Sequence, residues 1–177
     1  MKFFLFHCWG GWLENELTSL GYSVTNPDFP ETDNPNIKDW LIEVRKRVQK
    51  FESKDEWVLI SHSLGGPTIL NLLETFDQNE KVKAVIIVAG FGKDLGIPQI
   101  RNFADHQFDW AKIKSKSEKF IVINSDNDPY IKLEEGERVA KLLSAESIIE
   151  HNGGHINEPP RFLKYTRLLE IIKNFEK

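Results

Sequence analysis

Short apolar runs and longer amphipathic segments alternate along the chain. Residues 84–89 are apolar without interruption, which is typical of a strand covered on both faces of a sheet. In residues 37–51 the apolar side chains instead recur at intervals of three and four, which predicts a helix with one face on the core. Together the two patterns predict strands at residues 2–6, 22–25, 57–61, 84–89, 120–123 and 146–150, and helices at residues 12–20, 37–51, 64–76, 108–113, 133–143 and 159–175.

The alternation of strands with helices predicts an α/β fold with a mostly parallel sheet. Parallel neighbours need crossover connections, which are right-handed and place helices on both faces of the sheet. We expect about six strands in a single domain that spans residues 1–177. Residues 90–105, before the fifth strand, are too short and too interrupted by glycine and proline for a cap domain. In such folds, functional sites form at the carboxyl ends of the strands.

Composition and charge exclude several classes of protein. Of the 177 residues, 40% are hydrophobic and 28% are charged, as expected for a globular chain. The net charge of -4 gives no basic footprint for nucleic acid, and no run of 18 apolar residues predicts a membrane span. The apolar start of the chain is broken by His7, which favours a first core strand over a signal peptide. The single cysteine, Cys8, favours a reducing compartment, so we expect a cytoplasmic protein. Whether it has a protein partner cannot be read from the sequence.

The third predicted strand leads into a candidate catalytic turn. Residues 57–60 are apolar, and Ser61, Ser63 and Gly65 then stand at alternate positions, where the helical pattern of residues 64–76 begins. Small residues two positions before and after a central serine, between a strand and a helix, are the pattern of a nucleophile elbow. The elbow holds its serine at a strained backbone angle, so the hydroxyl projects from the edge of the sheet. The alternative is an ordinary strand-to-helix turn that happens to be rich in small residues.

Two further loops carry residue types that would activate Ser63. Asp126 and Asp128 follow the fifth predicted strand and His155 follows the sixth, which gives the chain order Ser, Asp, His. A serine hydroxyl needs an imidazole to accept its proton, and the imidazole needs a carboxylate to fix its tautomer and stabilise its cation. Taken singly, the aspartates are also explained as turn formers and the histidine as a loop residue. The histidines have no metal-ligand spacing that we can identify, and we expect neither a metal nor a cofactor.

These segments resemble the α/β-hydrolase superfamily, and within it the small serine hydrolases of the retinoblastoma-binding protein 9 and YdeN type. The resemblance covers nearly the whole chain. It rests on Asn26-Pro27-Asp28-Phe29-Pro30 with Asn34-Pro35, on Ser61-His62-Ser63-Leu64-Gly65-Gly66, on Ser125-Asp126-Asn127-Asp128-Pro129-Tyr130 and on Gly153-Gly154-His155.

The resemblance implies a carboxylesterase-like serine hydrolase without a metal or a cofactor. Its triad would be Ser63, His155 and Asp128, and its substrate a small ester, thioester or activated amide that is cleaved through an acyl-enzyme. Asp128 matches the family's Asp-Pro pair, and Pro129 restricts it to an extended conformation. Asp126 is then expected to stabilise the turn. The alternative is a non-enzymatic interaction module that retains the fold, since a fold does not determine a function.

The resemblance also implies an oxyanion hole built from two backbone N–H groups. In this superfamily one follows the nucleophile and the other comes from the loop after the first strand, which here are Leu64 and Trp9. Cys8 stands where the family usually has glycine, and we expect it to be a small buried residue. We expect a shallow substrate cleft, suited to short acyl groups. The residues expected to line it are Trp9, Trp12, Phe91, Tyr130 and Ile156.

Overall fold

A parallel sheet forms the centre of the computed structural model, which describes residues 1–6, 10–157 and 162–176. Within these ranges the sheet has six strands: β1 (Lys2–Phe6), β2 (Ser23–Thr25), β3 (Trp57–His62), β4 (Val82–Val88), β5 (Ser117–Ser125) and β6 (Glu146–Glu150). Their order across the sheet is β2-β1-β3-β4-β5-β6, and every neighbouring pair is parallel. The prediction of a parallel sheet of about six strands is therefore confirmed.

Helices cover both faces of the sheet, as predicted. They are α1 (Gly10–Ser19), α2 (Ile37–Arg47), α3 (Gly65–Thr75), α4 (Trp110–Ser115), α5 (Leu133–Leu143) and α6 (Thr166–Lys173). Short 3-10 helices add Ser53–Asp55, Pro98–Phe103 and Asn174–Glu176. Apolar side chains of α2, α3, α4 and α5 form one core with one face of the sheet, and those of α1 and α6 form a second core with the other. The division follows the two-residue period of a strand: Leu59 lies in the first core, whereas Val58 and Ile60 lie in the second.

Two helix boundaries differ from the sequence prediction by more than two residues. The helix expected at residues 37–51 ends at Arg47, because Val48 is extended and the chain turns so that Phe51 is fully buried between Trp57 and Phe76. The helix expected at residues 159–175 begins only at Thr166 within the described residues. Both segments carry apolar side chains beyond the helix, and apolar spacing does not show where the backbone leaves the helical conformation.

The carboxyl ends of the central strands lie level with one another. His62 at the end of β3 pairs with Val88 at the end of β4, and Val88 pairs with Ile123 near the end of β5. Ser125, which ends β5, pairs in turn with Glu150, which ends β6. The loops that follow β3, β5 and β6 therefore leave the same edge of the sheet, which is where the sequence places its candidate residues.

The connection between β4 and β5 contains no cap domain in the described structure. It holds the 3-10 helix Pro98–Phe103 and α4. Phe103 is fully buried, and Asn71 of α3 donates a hydrogen bond to its carbonyl at 2.8 Å, so this connection packs down onto the sheet layer. None of the helices within the described ranges is long and apolar enough to cross a membrane.

Candidate active site

Ser63 occupies a sharp turn between β3 and α3. Its φ angle is +51°, in the left-handed region that costs a non-glycine residue roughly 1–2 kcal/mol. The turn is fixed from both sides: the Ser63 N–H donates to the carbonyl of Val88 at 2.9 Å, and the Ser63 carbonyl accepts from the N–H of Gly66 at 2.9 Å. A Cβ atom on Gly66 would come within 3.0 Å of the Cα of Gly90, so the packing around the turn requires a small residue there. The strand, strained turn and helix predicted around Ser63 are all present.

Asp128 and His155 are joined at the edge of the sheet where Ser63 lies. The Asp128 Oδ2 and the His155 Nδ1 are 2.8 Å apart, and only 1% and 8% of the two side chains are exposed. The other carboxylate oxygen, Oδ1, accepts from the N–H groups of Tyr130 at 2.8 Å and Ile131 at 3.0 Å.

The environment of Asp128 keeps its carboxylate ionised. Burial would raise the pKa of Asp128, but hydrogen bonds from His155 and from the N–H groups of Ile131 and Tyr130 outweigh it and lower the pKa below its usual value. An ionised carboxylate can only accept, so Nδ1 of His155 carries a proton, and in the neutral ring Nε2 is left with a free lone pair. His155 thus has the tautomer that a general base requires.

The residues before Asp128 hold the loop that carries His155. Ser125, which ends β5, and the next two residues all bind the loop of residues 151–154. Ser125 Oγ accepts from the N–H of Gly153 at 2.9 Å, and Asn127 Oδ1 accepts from the N–H of Gly154 at 2.8 Å. The Ser125 hydroxyl also donates to Asn127 Oδ1 at 2.7 Å, which ties the two anchors together.

Asp126 provides a second, more exposed anchor for the same loop. Its Oδ2 lies 2.7 Å from Nδ1 of His151, and its Oδ1 accepts from the N–H of Asn152 at 2.8 Å. These two hydrogen bonds lower the pKa of Asp126, that from His151 having the larger effect. No pattern in the sequence predicts the pairing of His151 with Asp126. Asp126 contacts His151 rather than His155, so Asp128 is the aspartate that orients the His155 imidazole.

His62, next to the nucleophile position, has a contact that sequence reasoning missed. It lies at the end of β3 and is buried, and its Nε2 is 2.7 Å from the main-chain carbonyl oxygen of His155. A carbonyl oxygen only accepts, so His62 donates from a protonated Nε2. The two imidazole rings meet edge to face with their centres 4.7 Å apart. Sequence alone places His62 beside Ser63, and its contact with a residue 93 positions further along the chain has no local signal.

Burial keeps His62 uncharged. It lowers the pKa of His62 to about 4, and the hydrogen bond to the His155 carbonyl opposes this only in part. The neutrality matters because charging both rings at their separation of 4.7 Å would cost roughly 3.5 kcal/mol at an effective dielectric constant of about 20.

The predicted oxyanion donors are only partly described. Leu64 follows Ser63 directly and is the N-cap residue of α3, where the first backbone N–H groups have no acceptor within the helix. Trp9, predicted both as the second donor and as a cleft residue, lies outside the described residues, as does Cys8.

Of the predicted cleft residues, Tyr130 and Trp12 are accessible and two others are not. Tyr130 is 67% exposed, and its ring meets that of His155 edge to face at a centre distance of 5.0 Å. Trp12 is partly exposed on α1. The predictions for Phe91 and Ile156 are wrong: Phe91 is 2% exposed in the core beneath α3, and Ile156 is fully buried in the opposite core. Ile156 has a φ of +54°, a backbone reversal that apolar character in the sequence does not reveal.

The described side chains were also considered as possible metal ligands. Among them, no three histidine, cysteine, aspartate or glutamate residues lie close enough to share a metal ion. The polar groups of the site are instead paired with one another, as Asp128 is with His155.

Comparison with known proteins identifies the family of the chain and its fold. The family model described as serine hydrolase matches residues 6–174, and the chain belongs to that family. Among curated proteins, the chain is 26% identical to the hydrolase YdeN of Bacillus subtilis (strain 168) over 168 residues, covering 94% of this chain and 87% of that one. It is 24% identical to the serine hydrolase RBBP9 of Rattus norvegicus over 171 residues, covering 95% and 86%.

Solved structures show the same fold. The crystal structure of the ydeN gene product from B. subtilis matches with a TM-score of 0.89 at 23% identity, over 98% of this chain and 97% of that one. Polyneuridine aldehyde esterase matches with a TM-score of 0.71 at 13% identity, over 99% of both chains. The sheet and its helices are therefore an α/β-hydrolase fold, and the chain is a hydrolase of the serine hydrolase family.

Proposed function

We propose that the protein is a carboxylesterase-like serine hydrolase in which Ser63 is the nucleophile, His155 the general base and Asp128 the residue that orients it. The observation that carries the proposal is the buried Asp128–His155 pair, 2.8 Å apart, at the sheet edge where the strained Ser63 turn lies. Strain at Ser63 and a carboxylate removed from solvent both cost stability, and such costs concentrate at functional sites.

The reaction that fits these residues proceeds in two steps. Ser63 Oγ attacks the acyl carbon while His155 Nε2 accepts its proton, and the ionised Asp128 stabilises the resulting imidazolium. The N–H groups of Leu64 and Trp9 bind the oxyanion, and the imidazolium then protonates the leaving group. Water attacks the acyl-enzyme by the same proton path. Within the described residues no hydrogen bond joins Ser63 and His155, which is common for catalytic contacts before substrate binds.

The substrate that we propose is a small acyl compound. Two of the apolar side chains expected along the cleft, Phe91 and Ile156, are in the cores instead, and Tyr130 beside His155 is largely open to solvent. A methylene group contributes about 0.8 kcal/mol only where a pocket encloses it. We therefore expect kcat/KM for p-nitrophenyl esters to peak at acetyl to butyryl groups. A clear preference for palmitoyl over butyryl esters would contradict this and indicate an enclosed tunnel.

The experiment that tests the proposal is turnover of p-nitrophenyl acetate by the wild type and by Ser63→Ala. We expect a burst of p-nitrophenolate equal to the enzyme concentration and, after acid quench, a protein mass increased by one acetyl group on the peptide containing Ser63. Because triad members act as a unit, Ser63→Ala should lower turnover by on the order of 10⁴ to 10⁶. Turnover that survives in Ser63→Ala would assign the chemistry to another residue, and a wild type without turnover towards any acyl ester would favour the interaction module.

A further inference from the structure

We propose that His62 is a positioning residue, which uses its Nε2–H to hold the main chain of His155 against the turn that carries Ser63. This inference rests on the function proposed above, because it concerns how the general base is placed relative to the nucleophile. His62 contacts His155 and not the reacting atoms, so its effect would be exerted through His155.

The first argument is where the contact lies. Hydrogen bonds that residues 125–128 accept attach the His155 loop to the end of β5 and the turn that follows it. The His62 hydrogen bond attaches the same loop to the end of β3, one residue before the nucleophile. Asp128 therefore sets the direction of the imidazole, and His62 sets the distance of the His155 main chain from Ser63. A displacement of about 1 Å in such a pair can cost about 10²-fold in rate.

The second argument is the quality of the contact. The donor and acceptor are 2.7 Å apart, the His62 side chain is buried, and the rings of His62 and His155 pack edge to face. His62 is the last residue of β3, whose ladder to β4 extends to the His62–Val88 pair, so its backbone is fixed by the sheet. A donor on a rigid strand is better suited to placing a loop than a donor on another loop.

The third argument is that His62 keeps the same protonation state while His155 changes its own. Burial leaves His62 neutral with a proton on Nε2, which is the form that the His155 carbonyl requires. When His155 becomes an imidazolium during the reaction, the ring beside it therefore adds no second positive charge.

The test compares two replacements of similar length. The amide nitrogen of His62→Gln reaches about as far as Nε2 and can donate, whereas His62→Met fills similar space without a donor. We expect His62→Met to lower kcat for p-nitrophenyl acetate by about 10- to 100-fold with KM changed less than about twofold, and the rate constant for phosphonylation by a fluorophosphonate to fall in parallel. His62→Gln should recover most of both rates. If His62→Met does not fold, His62→Asn replaces it, since its shorter amide cannot reach the carbonyl, and the same loss is expected.

A matched control separates positioning from general destabilisation. Leu17→Ala removes a fully buried side chain from α1 and should lower the unfolding free energy without changing kcat per active site, counted by active-site titration. Equal rates for His62→Met and the wild type would overturn the inference, as would equal losses in His62→Met and His62→Gln. A wild type that neither turns over nor reacts with the fluorophosphonate would overturn the proposed function, and the inference with it.

Discussion

Gly136 lies in the middle of α5, where glycine is unfavourable, and Asn124 of β5 explains why it is there. A Cβ atom on Gly136 would lie 1.4 Å from Asn124 Nδ2 and 2.1 Å from its Cγ. The backbone at Gly136 is helical, so Gly136→Ala brings no backbone strain and adds only a steric overlap. The Asn124 side chain is buried, and neither its Nδ2 nor its Oδ1 has a hydrogen-bond partner among the described residues.

These contacts predict that Gly136→Ala destabilises the wild type but stabilises a variant in which Asn124 has been replaced by alanine. In the wild type, the steric overlap in Gly136→Ala should lower the unfolding free energy by about 3 kcal/mol, the upper end of the range for overpacking. The better helix propensity of alanine should raise it by about 1 kcal/mol, which leaves a net loss of about 2 kcal/mol. Asn124→Ala removes the side chain that overlaps the new Cβ atom. It also removes two buried polar atoms without partners, each of which costs about 1–3 kcal/mol, and this gain offsets the cost of the cavity that the substitution leaves. In that background Gly136→Ala should stabilise by about 1 kcal/mol, a coupling of about 3 kcal/mol.

The coupling is measured by urea unfolding of four proteins, followed by far-ultraviolet circular dichroism. They are the wild type, Gly136→Ala, Asn124→Ala and the double variant. Equal slopes of free energy against urea would confirm that the same transition is compared. The reasoning would be refuted if Gly136→Ala were neutral or stabilising in the wild type, or if its effect were the same in the Asn124→Ala background.

Three further predictions concern the site. The pKa of His62 is about 4 in the folded protein and 6.5 ordinarily, so between these values His62 binds a proton only in the unfolded chain. The unfolding free energy of the wild type should therefore fall by about 2 kcal/mol from pH 7 to pH 5, relative to that of His62→Gln. The same dependence of unfolding free energy on pH for the two proteins, measured by urea unfolding, would contradict this. Asp128→Asn should lower kcat far more than Asp126→Asn, because Asp128 contacts His155 and Asp126 contacts His151; equal losses in ester turnover would show that the pairing is misassigned. Ser63→Gly should be about 1 kcal/mol more stable than Ser63→Ala in thermal unfolding, because the φ of +51° strains alanine; the reverse order would mean that the turn is not strained.

The strand, turn and helix around Ser63 were predictable because each is a local pattern. An apolar run, small residues at alternate positions and a helical period are all read over fewer than about 20 residues. The pairing of Asp128 with His155 also followed from the sequence, because parallel strands bring their carboxyl ends to one edge and Pro129 and the family resemblance single out Asp128.

The remaining features depend on packing between distant segments. The contact of His62 with the His155 carbonyl and the Asp126–His151 pair join positions with no spacing rule between them. Ile156 was misplaced because its direction is set by a positive φ, and Phe91 because an apolar residue beside a site fits a cleft wall and a core equally well.

Covalent labelling of the folded protein by a fluorophosphonate tests the central claim most directly, because this reagent reacts with a serine only when a neighbouring base activates it. The account predicts one adduct per chain, on the peptide that contains Ser63, with no adduct on Ser63→Ala and strongly slowed labelling of His155→Ala. An adduct that persists on Ser63→Ala, or a folded wild type that remains unlabelled, would contradict it.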